Sequence, residues 1–89
     1  MELAEIRQEI DAIDEELVKL FVRRMKAVEQ VAASKHDTGR PVRDPAREKA
    51  ILDRVAAEVG PDYADAARQL FQSLMSISRD HQKNIISTI

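Results

Sequence analysis

The feature that most constrains the fold is an uninterrupted helical pattern over residues 1–35. Neither proline nor glycine occurs in this stretch, so no helix-breaking residue interrupts it. Apolar side chains recur at alternating spacings of three and four, which is the period of one helix face. They are Leu3, Ile6, Ile10, Ile13, Leu17 and Leu20, followed by Val28 and Val31. The pattern predicts one long helix that ends at Lys35 and packs along its whole length.

A helix of this length is longer than the domain that 89 residues can form. A globule of that size has an expected radius of gyration of about 12 Å and hence a diameter of roughly 30 Å. A helix of about 33 residues would be roughly 50 Å long. Because aromatic residues make up only 3% of the chain, its own core has to be small and aliphatic. Burying the overhang requires a second copy or another domain, and an intertwined homodimer is the economical solution.

Two cations, Arg24 and Lys35, occupy positions of the same apolar stripe. Eleven residues make about three turns, so the two side chains should point the same way, roughly 16 Å apart along the axis. An unpaired buried charge costs several kcal/mol, on the order of 3–5, so an anion is expected near them. A structural explanation is also open for each. Lys35 suits the negative end of a helix, and Arg24 can extend to the surface.

The remaining sequence predicts a loop and two shorter helices. Residues 36–41 should form the loop, because glycine and the residue before a proline both disfavour a helix. The second helix should run from Pro45 to about Val59, with Asp44 as its N-cap. The third should begin around residues 62–65 and end near residue 85. We therefore expect an all-α fold with three helices per chain (long, short and medium) in a single domain over residues 1–89.

Both shorter helices also carry polar side chains on their predicted inner faces. The second helix presents Glu48, Ile51, Leu52, Val55 and Val59. The third presents Tyr63, Ala67, Leu70, Phe71 and Leu74, and the same spacing continues to Ser78 and Gln82. Each polar residue has a structural explanation of its own: a helix N-terminus suits Glu48, the preceding turn can satisfy Ser78, and fraying can expose Gln82. A convergent polar cluster in an aliphatic bundle is nevertheless typical of a small-molecule site.

The residue inventory restricts the chemistry of such a site. Cations outnumber acids in the cluster, which suits a substrate that carries carboxylates. The chain has no cysteine, no pair of carboxylates for acid–base work and no serine beside a histidine, so nucleophilic catalysis is not supported. His36 and His81 lie on different elements without metal-ligand spacing, and no metal site is expected. Catalysis at this site would work by positioning and electrostatics.

Charge and hydropathy exclude two classes of partner. The formal net charge is −2, with 34% charged residues of both signs, so the basic excess of a nucleic-acid binder is missing. The N-terminus begins with acidic residues rather than a basic region and an apolar run, and no segment is long enough to cross a membrane. We expect no nucleic-acid partner, no membrane association and a cytoplasmic location.

The identity and spacing of these residues resemble the all-helical, type II chorismate mutases, the AroQ class, over nearly the whole chain. The matching residues are Arg7, Arg24, Lys35, the run Arg40-Pro41-Val42-Arg43-Asp44-Pro45-Ala46-Arg47-Glu48, Ser78 and Gln82. The loop run is the most specific part. The third helix matches mainly through Leu70-Phe71-Gln72, Ser78 and Gln82, while Ser76 and Ile77 stand where the family often has acidic residues.

The resemblance implies an isomerase that converts chorismate to prephenate, in the biosynthesis of phenylalanine and tyrosine. In this pericyclic Claisen rearrangement an ether carbon–oxygen bond breaks as a carbon–carbon bond forms. It needs no cofactor, metal, nucleophile or obligatory proton transfer. Arg24 and Arg7 would hold the two substrate carboxylates in the folded conformer. Lys35 and Gln82 would donate hydrogen bonds to the ether oxygen, which gains negative charge in the transition state.

The resemblance also implies roles for the residues at the start of the second helix. Glu48, helped by the backbone near Asp44, would bind the ring hydroxyl, and Arg47 and Ser78 would complete the surroundings of the carboxylates. Arg7 precedes Arg24 by roughly 26 Å of helix, so one small ligand cannot touch both within a chain. In the family this arginine comes from the other subunit. The expectation is a homodimer with two sites, each built from both chains.

Two alternative functions stay open. An isochorismate pyruvate lyase shares this fold and a substrate of similar shape, although the Arg47-Glu48 pair and the loop run favour the mutase. A non-catalytic dimerisation or regulatory module of a larger shikimate-pathway enzyme belongs to a different class, and family members are often fused to other domains.

Overall fold

The computed structural model describes all 89 residues, and they form three helices without any strand. The helices are α1 (Leu3–Thr38), α2 (Pro45–Val59) and α3 (Ala64–Thr88). The predicted all-α fold with a long, a short and a medium helix is thus confirmed. α1 and α2 each pack against α3, whereas no packing joins α1 to α2. None of the three helices combines the length and apolarity that crossing a bilayer requires.

The helix ends follow local chemistry, with two departures from the sequence prediction. α1 continues three residues beyond Lys35 and ends at Gly39, which adopts the left-handed conformation with φ of 72°. There the N–H of Arg40 donates to the carbonyl of Lys35 at 3.1 Å, which closes the last turn. α3 runs to Thr88 rather than residue 85, because no glycine or proline stands in its last turns.

The start of α2 lies where the sequence predicted it. The Asp44 carboxylate accepts a hydrogen bond from the Arg47 backbone N–H at 3.1 Å, and Pro45 occupies the first helical position. An aspartate N-cap satisfies one of the free N–H groups at a helix start. The boundary therefore fixes the orientation of the first turn of α2, which carries Arg47 and Glu48.

The apolar core is small and is built partly from side chains that the periodicity did not single out. Its five members are Val28, Ala32, Val55, Ala56 and Met75. Ala32 is 0% exposed, so a neighbouring element approaches α1 closely at this point. Three residues predicted for the inner faces of the two shorter helices are instead exposed, because no other part of the chain covers them: Val59, Tyr63 and Leu70, at 41%, 67% and 54%.

The N-terminal part of α1, residues 3–23, extends away from the rest of the chain, and every one of these residues is exposed. The apolar stripe from Leu3 to Leu20 remains between 38% and 59% exposed. The molecule measures 53 × 27 × 14 Å and has a radius of gyration of 16.1 Å, well above the value of about 12 Å for a compact chain of this length. The predicted overhang is therefore present, and it leaves a long aliphatic stripe uncovered.

The packing of Ala32 leads to a stability prediction. Ala32→Leu should lower the free energy of unfolding by about 1–3 kcal/mol, because a larger side chain has no room at a fully buried position. Ala33→Leu is the matched control, since Ala33 is exposed on the same turn. Urea unfolding followed by circular dichroism measures both. Equal stability of the two variants would contradict the close approach at Ala32.

Candidate functional site

The polar side chains on the inner faces of the three helices converge on one cleft. Its cavity measures about 240 Å³ and is open to solvent on one side. The polar lining residues are Arg24, Lys35, Asp44, Arg47, Glu48, Ser78, Arg79 and Gln82, and the apolar ones are Ala27, Val28, Val31, Val42, Ile51 and Met75. Seven of the eight residues that the sequence predicted for the site are in this set. The exception is Arg7.

Arg24 reaches across to α3 instead of extending to the surface. Its Nη1 donates to the Ser78 hydroxyl and to the Leu74 carbonyl, the latter at 3.4 Å. Ser78 is buried and its hydroxyl donates in turn to the same carbonyl at 2.7 Å. Burial lowers the pKa of the Arg24 guanidinium, although arginine stays protonated at all ordinary pH values. The result is a partly desolvated cation whose protein partners are uncharged.

Lys35 also has an uncharged partner. Its ammonium donates to the carbonyl of Val42, in the loop that follows the turn at Gly39. The side chain is half-buried and lies in the last turn of α1, so the negative end of the helix also favours its charge. The ammonium is held in the cleft without a carboxylate to neutralise it.

The acidic side of the cleft lies at the start of α2. Asp44 uses one carboxylate oxygen to cap the helix, and Arg47 lines the cleft from the exposed side of the first turn. Glu48 is half-buried, and its Oε1 accepts a hydrogen bond from Arg79 Nη1 at 2.7 Å. The negative charge of Glu48 therefore faces a cation on α3 as well as the helix N-terminus.

Gln82 contributes an amide with an unusual environment. The residue is 6% exposed, and its Oε1 is enclosed without any hydrogen-bond partner. α3 extends well past this position, so Gln82 does not belong to a frayed end. A buried acceptor without a partner costs about 1–3 kcal/mol. Such a cost within a cleft is typical of a residue kept for function rather than stability.

Four further residues differ from the sequence prediction or from the family pattern. Arg7 is exposed on the free part of α1 and lies outside the cleft of its own chain. Ser76 and Ile77 are exposed and do not line the cleft either, so the departure from the family pattern at these positions leaves the cleft unchanged. Arg79 was missed. The spacing of four residues from Leu74 leads to Ser78, whereas the same spacing from the buried Met75 leads to Arg79 and would have placed Arg79 on the inner face.

The charge of the cleft favours an anionic ligand. The lining contains the cations Arg24, Lys35, Arg47 and Arg79 and the carboxylates Asp44 and Glu48. Four positive charges thus face two negative ones, between walls of aliphatic side chains that weaken the screening by water. The arrangement is suited to a small molecule with carboxylates, to which guanidinium, ammonium and amide groups can donate hydrogen bonds.

Comparison with known proteins finds the same resemblance by an independent route. A family model described as chorismate mutase type II matches residues 6–83. A chorismate mutase of Methanocaldococcus jannaschii is 46% identical over 86 residues, which cover 94% of this chain and 87% of that protein. The T-protein of Haemophilus influenzae is 39% identical over 75 residues, covering 82% of this chain. A bifunctional chorismate mutase/prephenate dehydratase of Buchnera aphidicola is 34% identical over 83 residues. The chain spans only 20% and 21% of the latter two proteins.

The environment of Gln82 leads to a second stability prediction. Gln82→Met should raise the free energy of unfolding by on the order of 1 kcal/mol, because it removes an enclosed oxygen that has no donor while keeping the side-chain volume. Gln72→Met, at an exposed position of α3, is the matched control and should change stability little. Urea unfolding compares the two variants with the parent chain. A Gln82→Met variant less stable than the parent would show that the amide has a partner after all.

Proposed function

The chain belongs to the chorismate mutase type II family, a family of isomerases, and on that premise we propose that it converts chorismate to prephenate. The observation that carries the proposal is the cleft, where cations from α1 and an amide from α3 surround a cavity with a net positive lining. Chorismate has two carboxylates, an ether oxygen and a ring hydroxyl. One carboxylate, the ether oxygen and the ring hydroxyl each have a suitable partner among the lining residues.

Positioning is the first part of the proposed mechanism. Arg24 exchanges its hydrogen bonds to Ser78 and the Leu74 carbonyl for bonds to one substrate carboxylate. Arg47 and Ser78 lie beside that carboxylate. The second carboxylate needs another cation, which is Arg7 of the partner subunit. Two fixed carboxylates hold the flexible enolpyruvyl side chain over the ring. The carbons that will bond are thereby kept in a near-attack geometry.

Electrostatic stabilisation is the second part. As the carbon–oxygen bond breaks and the carbon–carbon bond forms, negative charge collects on the ether oxygen. Lys35 and Gln82 donate hydrogen bonds to that oxygen, and the aliphatic walls strengthen both interactions. Gln82 is a neutral donor at all ordinary pH values. Glu48 and the backbone near Asp44 bind the ring hydroxyl, so each end of the substrate is fixed.

The proposed assembly is an intertwined homodimer, in which residues 1–89 of each chain form one domain and contribute to both sites. Three observations support it. The stripe from Leu3 to Leu20 is exposed in a single chain, the molecule is 53 Å long, and Arg7 lies outside its own cleft. A second chain that covers the stripe would bury apolar surface and bring its own Arg7 towards the cleft.

The proposed activity is tested by incubating the protein separately with chorismate and with isochorismate. Formation of prephenate from chorismate is expected, without added metal or cofactor. Salicylate and pyruvate from isochorismate, without prephenate from chorismate, would instead identify a lyase. A folded protein that converts neither compound but binds a partner domain or an aromatic amino acid would identify a non-catalytic module.

Removal of the lysine ammonium is expected to lower catalysis without affecting the fold. Lys35→Ala should reduce kcat by about 100-fold or more, because one of two donors to the ether oxygen is lost. Lys26→Ala, at an exposed position about two and a half turns earlier on α1, is the matched control and should retain full activity. The rate of prephenate formation and the helical circular dichroism are measured for both. A Lys35→Ala variant with unchanged kcat would exclude this role.

Mixing two inactive variants tests the shared site. Arg7→Ala and Lys35→Ala chains should each have low activity, whereas refolding them together should restore part of it. The Arg7 and Lys35 of one site come from different chains. In a heterodimer of the two variants, one cleft therefore has both side chains and the other lacks both. Failure to recover activity, despite heterodimers confirmed by mass spectrometry, would argue that each cleft functions within one chain.

A further inference from the structure

Arg79 is the cation of the cleft for which neither the sequence pattern nor the family resemblance gave a role. Its Nη1 lies 2.7 Å from Glu48 Oε1, and the two side chains are 24% and 19% exposed. Every other ion pair of the chain has at least one side chain that is 46% exposed or more. Exposed pairs constrain their side chains little. The Arg79–Glu48 pair is therefore the one ion pair that can fix a carboxylate inside the cleft.

The Arg79–Glu48 pair engages only one of the two oxygens of the Glu48 carboxylate. Oε1 accepts from Arg79, whereas Oε2 takes part in no side-chain hydrogen bond and is not among the enclosed atoms. Oε2 is therefore accessible to solvent, and Glu48 is one of the residues that line the cleft. A charge-assisted bond of this length holds the carboxylate plane in a defined orientation. The free oxygen is consequently an acceptor at a fixed position.

We propose that Arg79 is a positioning residue that orients Glu48, so that the free carboxylate oxygen accepts the hydrogen bond of the substrate ring hydroxyl. This inference rests on the proposed function. Arg79 itself does not touch the substrate. It acts through Glu48, whose carboxylate it holds in one orientation.

The hydrogen bonds made by α3 indicate that Arg79 orients Glu48 and does not bind a substrate carboxylate. Ser78 and Arg79 are neighbours in sequence, yet the first bonds to Arg24 of α1 and the second to Glu48 of α2. Arg79 is thus engaged on the α2 side of the cleft, away from the guanidinium proposed to bind a carboxylate. Without Arg79, the Glu48 carboxylate would be free to rotate, and its free oxygen would no longer be held at one position.

The test compares two variants of Arg79 on two substrates, chorismate and a chorismate analogue without the ring hydroxyl. Arg79→Met should lower kcat/KM for chorismate by about 10- to 100-fold, the effect of losing a hydrogen bond to a charged group. Arg79→Lys should recover most of this loss, because it keeps a cation that can donate. Arg68→Met, at an exposed position of α3, is the matched control and should be unaffected.

The analogue supplies the decisive readout. On it Arg79→Met and the parent chain should differ by less than about threefold, since Glu48 has no hydroxyl to accept from. In a Glu48→Gln background, Arg79→Met should likewise cost far less on chorismate, because the two residues act as a unit. If Arg79→Met fails to fold by circular dichroism, the comparison is made with Arg79→Lys, whose smaller loss should also disappear on the analogue.

The outcomes distinguish this inference from the proposed function. Equal losses on the two substrates would overturn it, because a carboxylate ligand or a purely structural residue would affect both. Additive losses in the Glu48→Gln background would overturn it as well. A parent chain that forms no prephenate would overturn the proposed function, and this inference with it.

Discussion

The cleft exists because α1 and α2 pack against α3 but not against each other. Two helices that share only a third one leave a space between them, and the side chains of the third helix line it. Ser78 and Arg79 show how closely α3 couples the two sides of the cleft. These successive residues of α3 bond to Arg24 on α1 and to Glu48 on α2. α3 therefore sets the position of both walls, and a change in its register would move both together.

The charged groups of the cleft are held by the protein before any ligand arrives. Arg24 has a hydroxyl and a carbonyl as partners, and Lys35 has a carbonyl. Ligand binding at these residues would exchange one hydrogen bond for another, so little side-chain freedom remains to be lost. Donors already oriented towards the place where charge develops are the basis of electrostatic catalysis. Gln82 differs, because its enclosed oxygen lacks any partner.

Periodicity was enough to predict five of the eight polar members of the cleft, because the 3.6-residue repeat decides which face of a helix a side chain occupies. The rest depends on neighbours that one sequence does not specify. Ala32 and Ala56 are buried by close approach, yet alanine does not stand out in a search for large apolar residues. Val59 and Leu70 have the right spacing, but no element covers them. Arg79 lies at the edge of the predicted face, where only the contact with Glu48 decides its direction.

Every residue from 3 to 23 of α1 is exposed within its own chain, and in proteins most of a helix's stability comes from the packing of its apolar face. In the proposed dimer, helix formation in this segment would be coupled to association with the second chain. Dilution would then reduce the helix content of the segment together with the proposed contribution of Arg7 to the neighbouring cleft. For the proposed dimer, the concentration that permits complete folding would also be the threshold for activity.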